Sequence, residues 1–595
     1  MCGIVFFSKN FNFSIHQALK EINHRGPDRN NYYENDFFYL GHALLQIRGE
    51  LEESIQPVHT SCGRYVFAFN GQIYNIKNII KFYDLKIHSD LDTRVISELI
   101  ASKGIDSLNC LDGMYSLLIY DKITKKIYFS RDPSGQKNLY YYYKDRSLII
   151  CSEIQPIISI LEKKINLSYE GLVSAIKFGY VANNSTLYKD IQKLLPGQII
   201  EISLKNWEVS KSSFIKKNNL IKKNQGLKEI IQGCISDHLP SKKKIALNLS
   251  GGIDSNIILY EILSLGRSID VFSTFFTDSN AMINQDYYDA KKIANHFGLK
   301  FFTTEISENN FFENFIKTYE IIEEPNRNFN HPAYYINFLN QKSMGYRSII
   351  SGIGGDEVFI GYDRYFNLNY KEKIFNFLSK NMHININKIL INYLINHHKK
   401  YQPPEDFLGN ELKLCNYDLV LDINEKFSQF KNSYFSEKKY LSVNFLRLIF
   451  DQYSWLANES FVAIDKLSMS NSLELRAPFA SQKLRYQLLE GIEELDFNSK
   501  INKMKIRDLY KDKLFPKILE NKKKLGWSVP KEWYSSKKFK SLFLDIIPKK
   551  NTESFLWRDI RDKIEKDSID LSSRYFTVLF STLVLLKKNL PKELT

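Results

Sequence analysis

Short apolar runs separated by turn residues dominate the first 200 residues of the chain. Strands are predicted at residues 4–7, 65–69, 115–120, 126–129 and 148–151, because each run is short and bounded by turn signals such as RGPD and DPSG. A last strand pair is predicted around Pro196-Gly197 within residues 194–204. Few helical patterns interrupt these strands, so the sequence predicts a β-rich layered domain over residues 1–209.

The pattern changes after a polar, Lys/Asn-rich linker at 210–225. Apolar runs at 244–252, 270–276, 300–306 and 347–355 alternate with helical stretches. Such alternation predicts a parallel α/β sheet in a second domain over residues 226–595, mainly helical beyond about residue 370. The apolar run at 575–586 is shorter than the roughly 20 residues that span a bilayer, so it predicts a buried helix and no membrane insertion.

Composition places the chain among ordinary globular proteins. It has 595 residues, 44% hydrophobic and 25% charged, with a net charge of +15 that comes mostly from lysine. The lysines are scattered, without the aromatic-interleaved basic stripe of a nucleic-acid surface, although a basic surface suits phosphate-bearing substrates. Six cysteines without C-x-x-C spacing indicate neither a disulfide framework nor a zinc site. No secretory signal pattern is present, which favours a cytoplasmic location.

The N-terminal sequence MCGI places a cysteine directly before the first predicted strand. Removal of Met1 would give Cys2 both a thiol and a free α-amine. A thiol is a stronger nucleophile as thiolate, and a neighbouring amine can take its proton. The alternative is that a cysteine occupies this position by chance.

A second motif, LSGGIDS at 249–255, lies between a predicted strand and a predicted helix. Glycines at such a turn let backbone N–H groups approach a phosphate, and the helix N-terminus favours the anion. The spacing differs from the Walker sequence. It resembles the pyrophosphate loop of ATP pyrophosphatases, and the alternative is a tight turn that happens to contain glycines.

A third motif, SGIGGDE at 351–357, also follows an apolar strand. Asp356 and Glu357 are adjacent carboxylates that could hold Mg²⁺ together with substrate phosphates, whereas the same residues in isolation are typical of a surface turn. Near the C-terminus, NKKKLGWSVP at 521–530 carries a lysine that could neutralise a departing pyrophosphate. In isolation, such a lysine cluster is typical of a solvated face.

These motifs occur in one order together with HRGPD, NGQIYN, RDPSGQKNLYY and SMSNSLELRAPF. The order resembles the glutamine-hydrolysing asparagine synthetase family, from residue 1 to about residue 535. The resemblance implies an N-terminal Ntn-type α/β/β/α sandwich. It also implies a C-terminal parallel α/β domain, like the adenine nucleotide alpha hydrolases, with a helical C-terminal part.

For the first domain, the resemblance implies that Cys2 is the nucleophile and that Asn70 and Gly71 form the oxyanion hole. Glutamine would be held by Asp92, together with two positions at which the chain departs from the family. Gln72 replaces a glutamate. Leu44 replaces an arginine, and Arg48, four residues on, would face the same side of a strand and substitute for it.

For the second domain, the resemblance implies an ATP site and a metal site. The ATP residues are Leu249, Ser250, Gly251, Gly252, Asp254, Ser255, Phe276, Ser351 and Gly352. Asp254, Asp356 and Glu357 would bind Mg²⁺, and Lys524 would stabilise adenylation. Arg476 would have a structural role, pairing with Glu474. Ile353 is a third departure, since the family usually has an acidic residue there that is tied to the β-aspartyl-AMP intermediate.

The function implied is ATP-dependent asparagine synthesis, with glutamine hydrolysis supplying ammonia. Three alternatives remain open at this point. The first is amidation of another carboxylate, such as a uronic acid of a surface polysaccharide, which Ile353 and Gln72 motivate. The second is an amide-forming cyclase of the lasso-peptide or β-lactam type, against which the retained Cys2 argues. The third is a catalytically silent scaffold. The expected partners are small molecules and no nucleic acid, with a homodimer left open.

Overall fold

The computed structural model describes all residues except 1, 88, 90, 163–164, 217–225, 241–243, 278, 280–281, 367, 369, 382–392, 394–409, 436–441, 492–500, 521–526, 549–560, 567–570, 572–573 and 591–595.

The strands of the first domain are β1 Cys2–Ser8, β2 Arg29–Glu34, β3 Phe38–Leu44, β4 Val58–His59, β5 Tyr65–Ile73, β6 Gly113–Asp121, β7 Lys126–Arg131, β8 Tyr140–Lys144, β9 Ser147–Cys151, β10 Ile191–Lys193, β11 Gln198–Ser203 and β12 Glu208–Phe214. Its α-helices are Ile15–Glu21, Ile76–Tyr83, Asp92–Lys103, Ile154–Ile160 and Tyr169–Phe178. Short 3₁₀ helices cover Asn23–Arg25, Glu52–Ser54 and Ile105–Cys110.

Two six-stranded antiparallel sheets face each other in this domain. Their strand orders are β10-β8-β9-β1-β3-β2 and β12-β11-β7-β6-β5-β4. Because side chains alternate along a strand, Ile4 and Phe6 of β1 pack between the sheets, and Val5 and Phe7 pack against the outer helices. Helices cover the outer face of the second sheet in the same way. The α/β/β/α sandwich is therefore confirmed.

The predicted strand pair at 194–204 is wrong. Strand β10 pairs with β8 in the first sheet, and β11 pairs with β7 and β12 in the second sheet. The chain crosses between the two sheets through Pro196-Gly197, where Gly197 has a φ of +71°. The turn residues thus mark a change of sheet, not a hairpin. Strand β12 extends to Phe214, five residues past the predicted domain end at residue 209.

The second domain is built on a five-stranded parallel sheet. Its strands are β13 Ile245–Asn248, β14 Asp270–Phe276, β15 Phe301–Ile306, β16 Ser348–Ile350 and β17 Glu474–Arg476, in the order β15-β14-β13-β16-β17. The predicted strands at 244–252, 270–276, 300–306 and 347–355 are confirmed as β13 to β16. The strand order reverses between β13 and β16, and in such sheets ligands bind at the carboxyl ends of the strands at this point.

Helices cover both faces of the parallel sheet, as its continuous apolar strands require. The α-helices of this domain are Leu227–His238, Ile253–Ser264, Gln285–His296, Glu308–Glu313, Phe315–Ile322, His331–Ser343, Gly355–Val358, Tyr370–Asn381, Asn410–Phe435, Val443–Asp451, Phe461–Met469, Gln482–Gly491, Met504–Leu509, Pro516–Glu520, Lys537–Ile546 and Arg574–Asn589. A π-helix covers Gln452–Ser460, and 3₁₀ helices cover Asp363–Tyr365, Pro478–Ala480 and Lys531–Ser535.

The apolar run at 575–586 forms the buried helix that the sequence predicted. It lies within Arg574–Asn589, and Phe580, Leu583 and Leu585 pack into the largest apolar cluster. Burying one such side chain contributes about 1.5–3 kcal/mol to folding. Among the residues described, no helix has the length and apolarity needed to cross a membrane.

Candidate active sites

The first candidate site is a small pocket around Cys2, with a volume of about 60 Å³. Cys2 is the first residue of β1 and pairs with Leu44 of β3. The pocket is also lined by Arg48, Gly71, Gln72 and Asp92 of the first domain and by Glu474 and Arg476 of the second. Five of the predicted residues around glutamine therefore share one pocket, and β17 of the parallel sheet supplies part of its wall.

Asn70 lies behind this pocket and positions the nucleophile. The backbone nitrogen of Cys2 donates a hydrogen bond to Asn70 Oδ1 at 2.9 Å, and the Asn70 side chain is fully buried outside the pocket lining. After removal of Met1 this nitrogen is the α-amine of Cys2. Asn70 thus holds the predicted base beside the predicted nucleophile, and the oxyanion-hole role of Asn70 stays a prediction.

The thiol of Cys2 is prepared for ionisation. Burial alone would raise the pKa of Cys2, but the neighbouring imidazole of His42 helps to lower this pKa to about 7. His42 is fixed by a contact of its Nε2 with the carbonyl oxygen of Phe69, 3.2 Å away. A thiolate is therefore available near neutral pH, which is the form that attacks an amide.

Gly71 must be glycine for a steric reason. A Cβ at this position would lie 2.0 Å from the carbonyl oxygen of Met114 on the neighbouring strand β6. The absence of a side chain lets β5 and β6 pair closely at the pocket wall. This close approach keeps the backbone of Gly71 at the surface of the pocket, as its predicted oxyanion role requires.

Three polar side chains that were predicted to bind glutamine, Arg48, Gln72 and Asp92, line this pocket. Burial raises the pKa of Asp92 to about 6, against the effect of Arg48, whose Nη1 lies 3.7 Å from Asp92 Oδ1. The Gln72 amide is buried, and in the described part of the chain neither its oxygen nor its nitrogen has a hydrogen-bond partner. Since buried polar groups are normally satisfied, Gln72 is a candidate contact for a bound polar molecule.

Arg48 reaches the pocket by a route other than the predicted one. The sequence prediction places Arg48 on the same strand as position 44, but β3 ends at Leu44. Leu44 pairs with Cys2, the first residue of β1. Arg48 therefore comes from the following loop, and strand alternation is not the reason why it faces the pocket.

The second candidate site is a cavity of about 950 Å³ at the carboxyl ends of β13 and β16. Its lining includes Leu249, Ser250, Gly251, Gly252, Asp254, Ser255, Ser351, Gly352, Ile353, Asp356 and Glu357. Phe276 does not line the cavity. It packs in the core near Trp527, and Ser273 and Thr274 of the same strand face the cavity instead. Lys524 lies outside the described residues.

The loop after β13 is closed by its own hydrogen bonds. Ser250 N donates to Ser255 Oγ at 3.1 Å, and Gly252 N donates to Ser250 Oγ at 3.1 Å. Gly251 N donates to Asp286 Oδ1 at 2.9 Å, and burial raises the pKa of Asp286 to about 6. The helix Ile253–Ser264 starts directly after this loop, so its N-terminus faces the cavity, as phosphate binding requires.

The loops after β13 and β16 pack closely against each other. A Cβ on Gly355 would lie 2.6 Å from Asp254 Cγ, and a Cβ on Gly352 would lie 2.9 Å from Asp254 Cβ. These two glycines therefore let the two motifs meet at the point where the strand order reverses. The family resemblance implied this proximity, because it assigned residues of both motifs to one ATP site.

Lys503 is a site residue that the sequence reasoning missed. Its Nζ contacts Asp254 and lies 2.7 Å from Asp356 Oδ1. Burial alone would lower the pKa of Lys503, but the two carboxylates raise it above its ordinary value. Its spacing of four residues from Arg507, which also lines the cavity, is the signal that could have identified it.

The residues present fit a magnesium ion bound together with phosphates. Asp254 and Asp356 converge on one point, where both contact Lys503. Among the described residues, no group of three His, Cys, Asp or Glu side chains forms a complete metal site. Two carboxylates completed by substrate oxygens and water are the usual donor set for Mg²⁺. Glu357 is turned aside and accepts a hydrogen bond from the Tyr362 hydroxyl at 2.9 Å.

A π-helix separates this cavity from the first domain. Trp455, Leu456 and Glu459 of the segment Gln452–Ser460 line the cavity. From the first domain, Arg131 Nη2 donates to the carbonyl oxygen of Ala457 at 3.2 Å. π-Helical segments occur frequently at functional sites.

The next helix, Phe461–Met469, continues this wall. Ile464 lines the cavity, and the neighbouring Asp465 accepts hydrogen bonds from Arg25 Nη2 at 2.9 Å and Lys137 Nζ at 2.7 Å. Arg25 Nε in turn donates to the carbonyl oxygen of Cys2 at 3.2 Å. We define residues 452–464 as the shared wall, since this segment lines the cavity and is contacted by Arg131 of the first domain.

Strand β17 also connects the two sites. Arg476 lines the Cys2 pocket, where its Nε donates to Glu474 Oε1 at 2.5 Å, and its carbonyl oxygen accepts a hydrogen bond from Ser351 N at 2.9 Å. Ser351 begins the loop after β16. The predicted pairing of Arg476 with Glu474 is present, although the prediction did not place the pair beside Cys2.

Comparisons with known proteins match both domains. The family described as glutamine amidotransferase domain matches residues 1–214, and the family described as asparagine synthase matches residues 226–585. A glutamine-hydrolysing asparagine synthetase 1 of Bacillus subtilis is 25% identical, covering 100% of this chain and 99% of its own length. A glutamine-hydrolysing asparagine synthetase of Pongo abelii is 26% identical, covering 61% of this chain and 67% of its own length.

Proposed function

Because the chain belongs to the asparagine synthase family, we propose that it hydrolyses glutamine at Cys2 and uses the ammonia to convert aspartate into asparagine with ATP. The observation that carries this proposal is the pairing of two differently equipped sites in one chain. A prepared thiol lies in a small polar pocket, and a phosphate-type loop lies in a large cavity behind a shared wall.

In the first site, the Cys2 thiolate attacks the amide carbon of glutamine. A thioester forms, ammonia leaves with the proton taken up by the α-amine of Cys2, and water then releases glutamate. Asp92 and the Gln72 amide oxygen accept hydrogen bonds from the substrate α-ammonium, and Arg48 pairs with its α-carboxylate. Gly71 N–H donates to the oxygen on which negative charge develops.

In the second site, a carboxylate oxygen of aspartate attacks the α-phosphorus of ATP. Acyl-AMP forms and pyrophosphate leaves. The start of helix Ile253–Ser264, which faces the cavity, holds phosphate oxygens. Lys503 and Lys524 neutralise the charge of the departing pyrophosphate. Bound Mg²⁺, held by Asp254 and Asp356, would neutralise phosphate charge. Ammonia then attacks the acyl carbon and AMP leaves.

The alternatives from the sequence receive less support. A cyclase that has lost its glutaminase has no use for a complete Cys2 pocket, in which thiol, base and recognition groups are all in place. A silent scaffold has no use for a buried lysine between two carboxylates. The apolar side chain of Ile353 lines the cavity where the family usually has an acidic residue. The identity of the carboxylate that accepts the nitrogen is therefore what a product assay must determine.

The test is a product assay with purified protein, ATP, Mg²⁺, glutamine and aspartate. We expect asparagine, glutamate, AMP and pyrophosphate in equal amounts. Glucuronate in place of aspartate is a parallel reaction that checks the acceptor. Glutamate formation without aspartate-dependent pyrophosphate release would contradict the assignment of aspartate as acceptor.

A further inference from the structure

One arginine of the large cavity has no part in the steps described above. Arg364 lies in the short helix Asp363–Tyr365, lines the cavity and keeps 36% of its side chain exposed. Its Nε donates a hydrogen bond to Asp451 Oδ2 at 2.9 Å, and its Nη2 lies 2.8 Å from the same oxygen. The Asp451 side chain is only 3% exposed. The accessible part of this ion pair is therefore the cation.

Two aromatic rings hold the guanidinium group of Arg364 in place. Its central carbon lies 4.4 Å from the ring centre of Tyr362 and 5.5 Å from the ring centre of Trp455, and both rings line the cavity. A guanidinium has five N–H donors, and Asp451 approaches only the side that carries Nε and Nη2. Donors therefore remain for a second acceptor, and the planar group matches a carboxylate in shape.

Three other cations of the cavity are engaged within the protein. Lys503 contacts the two carboxylates at which Mg²⁺ is expected. Arg447 pairs with Glu372 and donates to the carbonyl oxygen of Arg364. Arg507 donates to backbone carbonyl oxygens of neighbouring segments. Arg364 thus provides an accessible positive charge that is separate from the lysine on the phosphate side.

The position of Arg364 favours the acceptor molecule over ATP as its partner. Trp455, whose ring contacts the guanidinium, belongs to the shared wall. Ammonia released at Cys2 has to reach the acyl carbon, so the acyl group is expected beside this wall. On the other side, the Tyr362 hydroxyl donates to Glu357 Oε1 at 2.9 Å, which connects Arg364 to the loop after β16.

We propose that Arg364 binds the carboxylate of the acceptor that is not adenylated, which in aspartate is the α-carboxylate. The β-carboxylate is then left to attack the α-phosphorus of ATP. The inference rests on the proposed function and names its substrate class, a dicarboxylic acceptor. A uronic acid has a single carboxylate, which is consumed by adenylation, and would leave Arg364 without an anionic partner.

The test compares two acceptors that differ only in this group. β-Alanine is aspartate without its α-carboxylate, and ATP–pyrophosphate exchange in the absence of ammonia reports the adenylation of either molecule. For the wild-type protein we expect kcat/KM of exchange to be at least about 100-fold higher with aspartate than with β-alanine. In Arg364→Met, the value for aspartate should fall by about 10–100-fold, the usual cost of a lost charged hydrogen bond. The value for β-alanine should stay within about threefold.

Two further variants separate substrate recognition from folding. Arg364→Lys keeps the charge without the planar group, so it should recover part of the preference for aspartate. Arg364→Met leaves Asp451 buried without its cation, which destabilises the protein. The double variant Arg364→Met/Asp451→Asn removes both charges and should show the same loss of preference. The KM for ATP should stay within about twofold of wild type in all three variants.

Arg64→Met is the matched control for these substitutions. Arg64 is 38% exposed and pairs with the buried Asp121 through its Nε at 3.0 Å and its Nη2 at 2.6 Å. It therefore resembles Arg364 in exposure and pairing, but it lies outside both the large cavity and the Cys2 pocket. Its substitution should leave the preference for aspartate over β-alanine unchanged.

The inference is overturned if the wild-type protein adenylates β-alanine as well as aspartate, or if Arg364→Met keeps the wild-type preference. It is also overturned if exchange with β-alanine falls as much as exchange with aspartate, since Arg364 would then contact ATP or serve only the fold. Failure of the proposed function has a different signature. In that case the wild-type protein shows no aspartate-dependent exchange at all, and the inference falls with it.

Discussion

The Cys2 pocket and the ATP cavity differ in how their polar groups are arranged before a substrate binds. In the Cys2 pocket, the amide of Gln72 is buried without a hydrogen-bond partner in the described chain, and Asp92 Oδ1 lies 3.7 Å from Arg48 Nη1. In the ATP cavity, Lys503 contacts both Asp254 and Asp356. The Cys2 pocket therefore contains a neutral amide without an internal partner, whereas the ATP cavity contains a lysine paired with two carboxylates.

The difference follows from what each site has to bind. A pocket of about 60 Å³ has room for little more than one amino acid side chain, so its groups can stay fixed at the cost of about 1–3 kcal/mol for each unsatisfied atom. A polyanion needs several positive charges and a metal ion. An unpaired lysine buried at that cavity would be strongly destabilising. The ATP site therefore has to exchange the ion pairs of Lys503 for substrate contacts, whereas the Gln72 amide of the Cys2 pocket has no internal partner in the described chain to exchange.

The largest expected effect separates the two sites completely. Cys2→Ala should abolish glutamine-dependent asparagine formation, by at least about 10³-fold, because the nucleophile is absent. Ammonia-dependent formation should stay within about twofold of wild type, since the ATP cavity is unchanged. The measurement is asparagine formation with glutamine and with ammonium chloride as alternative nitrogen donors.

Cys62→Ala is the control for this substitution, because Cys62 is exposed and lies outside the pocket lining. It should leave both activities unchanged. If Cys2→Ala retained glutamine-dependent activity, another group would have to release ammonia from glutamine. This result would contradict the assignment of Cys2 as the nucleophile.

The second effect concerns the paired charges of the ATP cavity. Lys503→Ala should reduce aspartate-dependent ATP–pyrophosphate exchange by about 10²–10³-fold, because a cation no longer neutralises the phosphates. Glutamine hydrolysis should be unaffected. Lys511→Ala is the matched control, because Lys511 is exposed and follows the helix Met504–Leu509, which begins directly after Lys503. Equal losses of exchange and glutamine hydrolysis would indicate a general effect on folding.

The sequence was most informative where the site residues are contiguous. The motifs at 249–255 and 351–357 were identified because glycines follow apolar strands of a predicted parallel sheet, and the family resemblance assigned residues of both to one ATP site. In the first domain, the strands at 4–7, 65–69, 115–120, 126–129 and 148–151 were predicted because each is a short apolar run bounded by turn residues, whereas β2, β3, β4, β8 and β12 were not predicted.

The sequence was least informative where contacts join distant segments. Lys503 lies 249 residues from Asp254 in the chain, and Asp286, which contacts Gly251, has no glycine motif around it. Strand β17 has three residues, too few for a periodic signal, and its partner β16 lies more than 120 residues earlier. Such pairings depend on how the helices pack, which local patterns do not specify.

A third prediction concerns the pH dependence of glutamine hydrolysis in the Cys2 pocket. The pKa of Cys2 is about 7, so kcat/KM for glutamine should rise by about 30-fold between pH 5.5 and pH 8 as the thiolate forms. The pKa of Asp92 is about 6, and its ionisation adds to the rise at the acid end. The measurement is glutamate release across this range. A profile that falls or stays flat toward pH 8 would contradict a prepared thiol.

The smallest effect tests whether the Gln72 amide contacts the substrate. Gln72→Glu should lower the KM for glutamine by about tenfold at pH 8, because a carboxylate makes a charge-assisted hydrogen bond to the α-ammonium. The value of kcat should change little, since Cys2 and Gly71 are untouched. Gln72→Ala is the paired variant and should raise KM. If both variants keep the wild-type KM, Gln72 does not contact glutamine, and the Cys2 pocket recognises its substrate through Asp92 and Arg48.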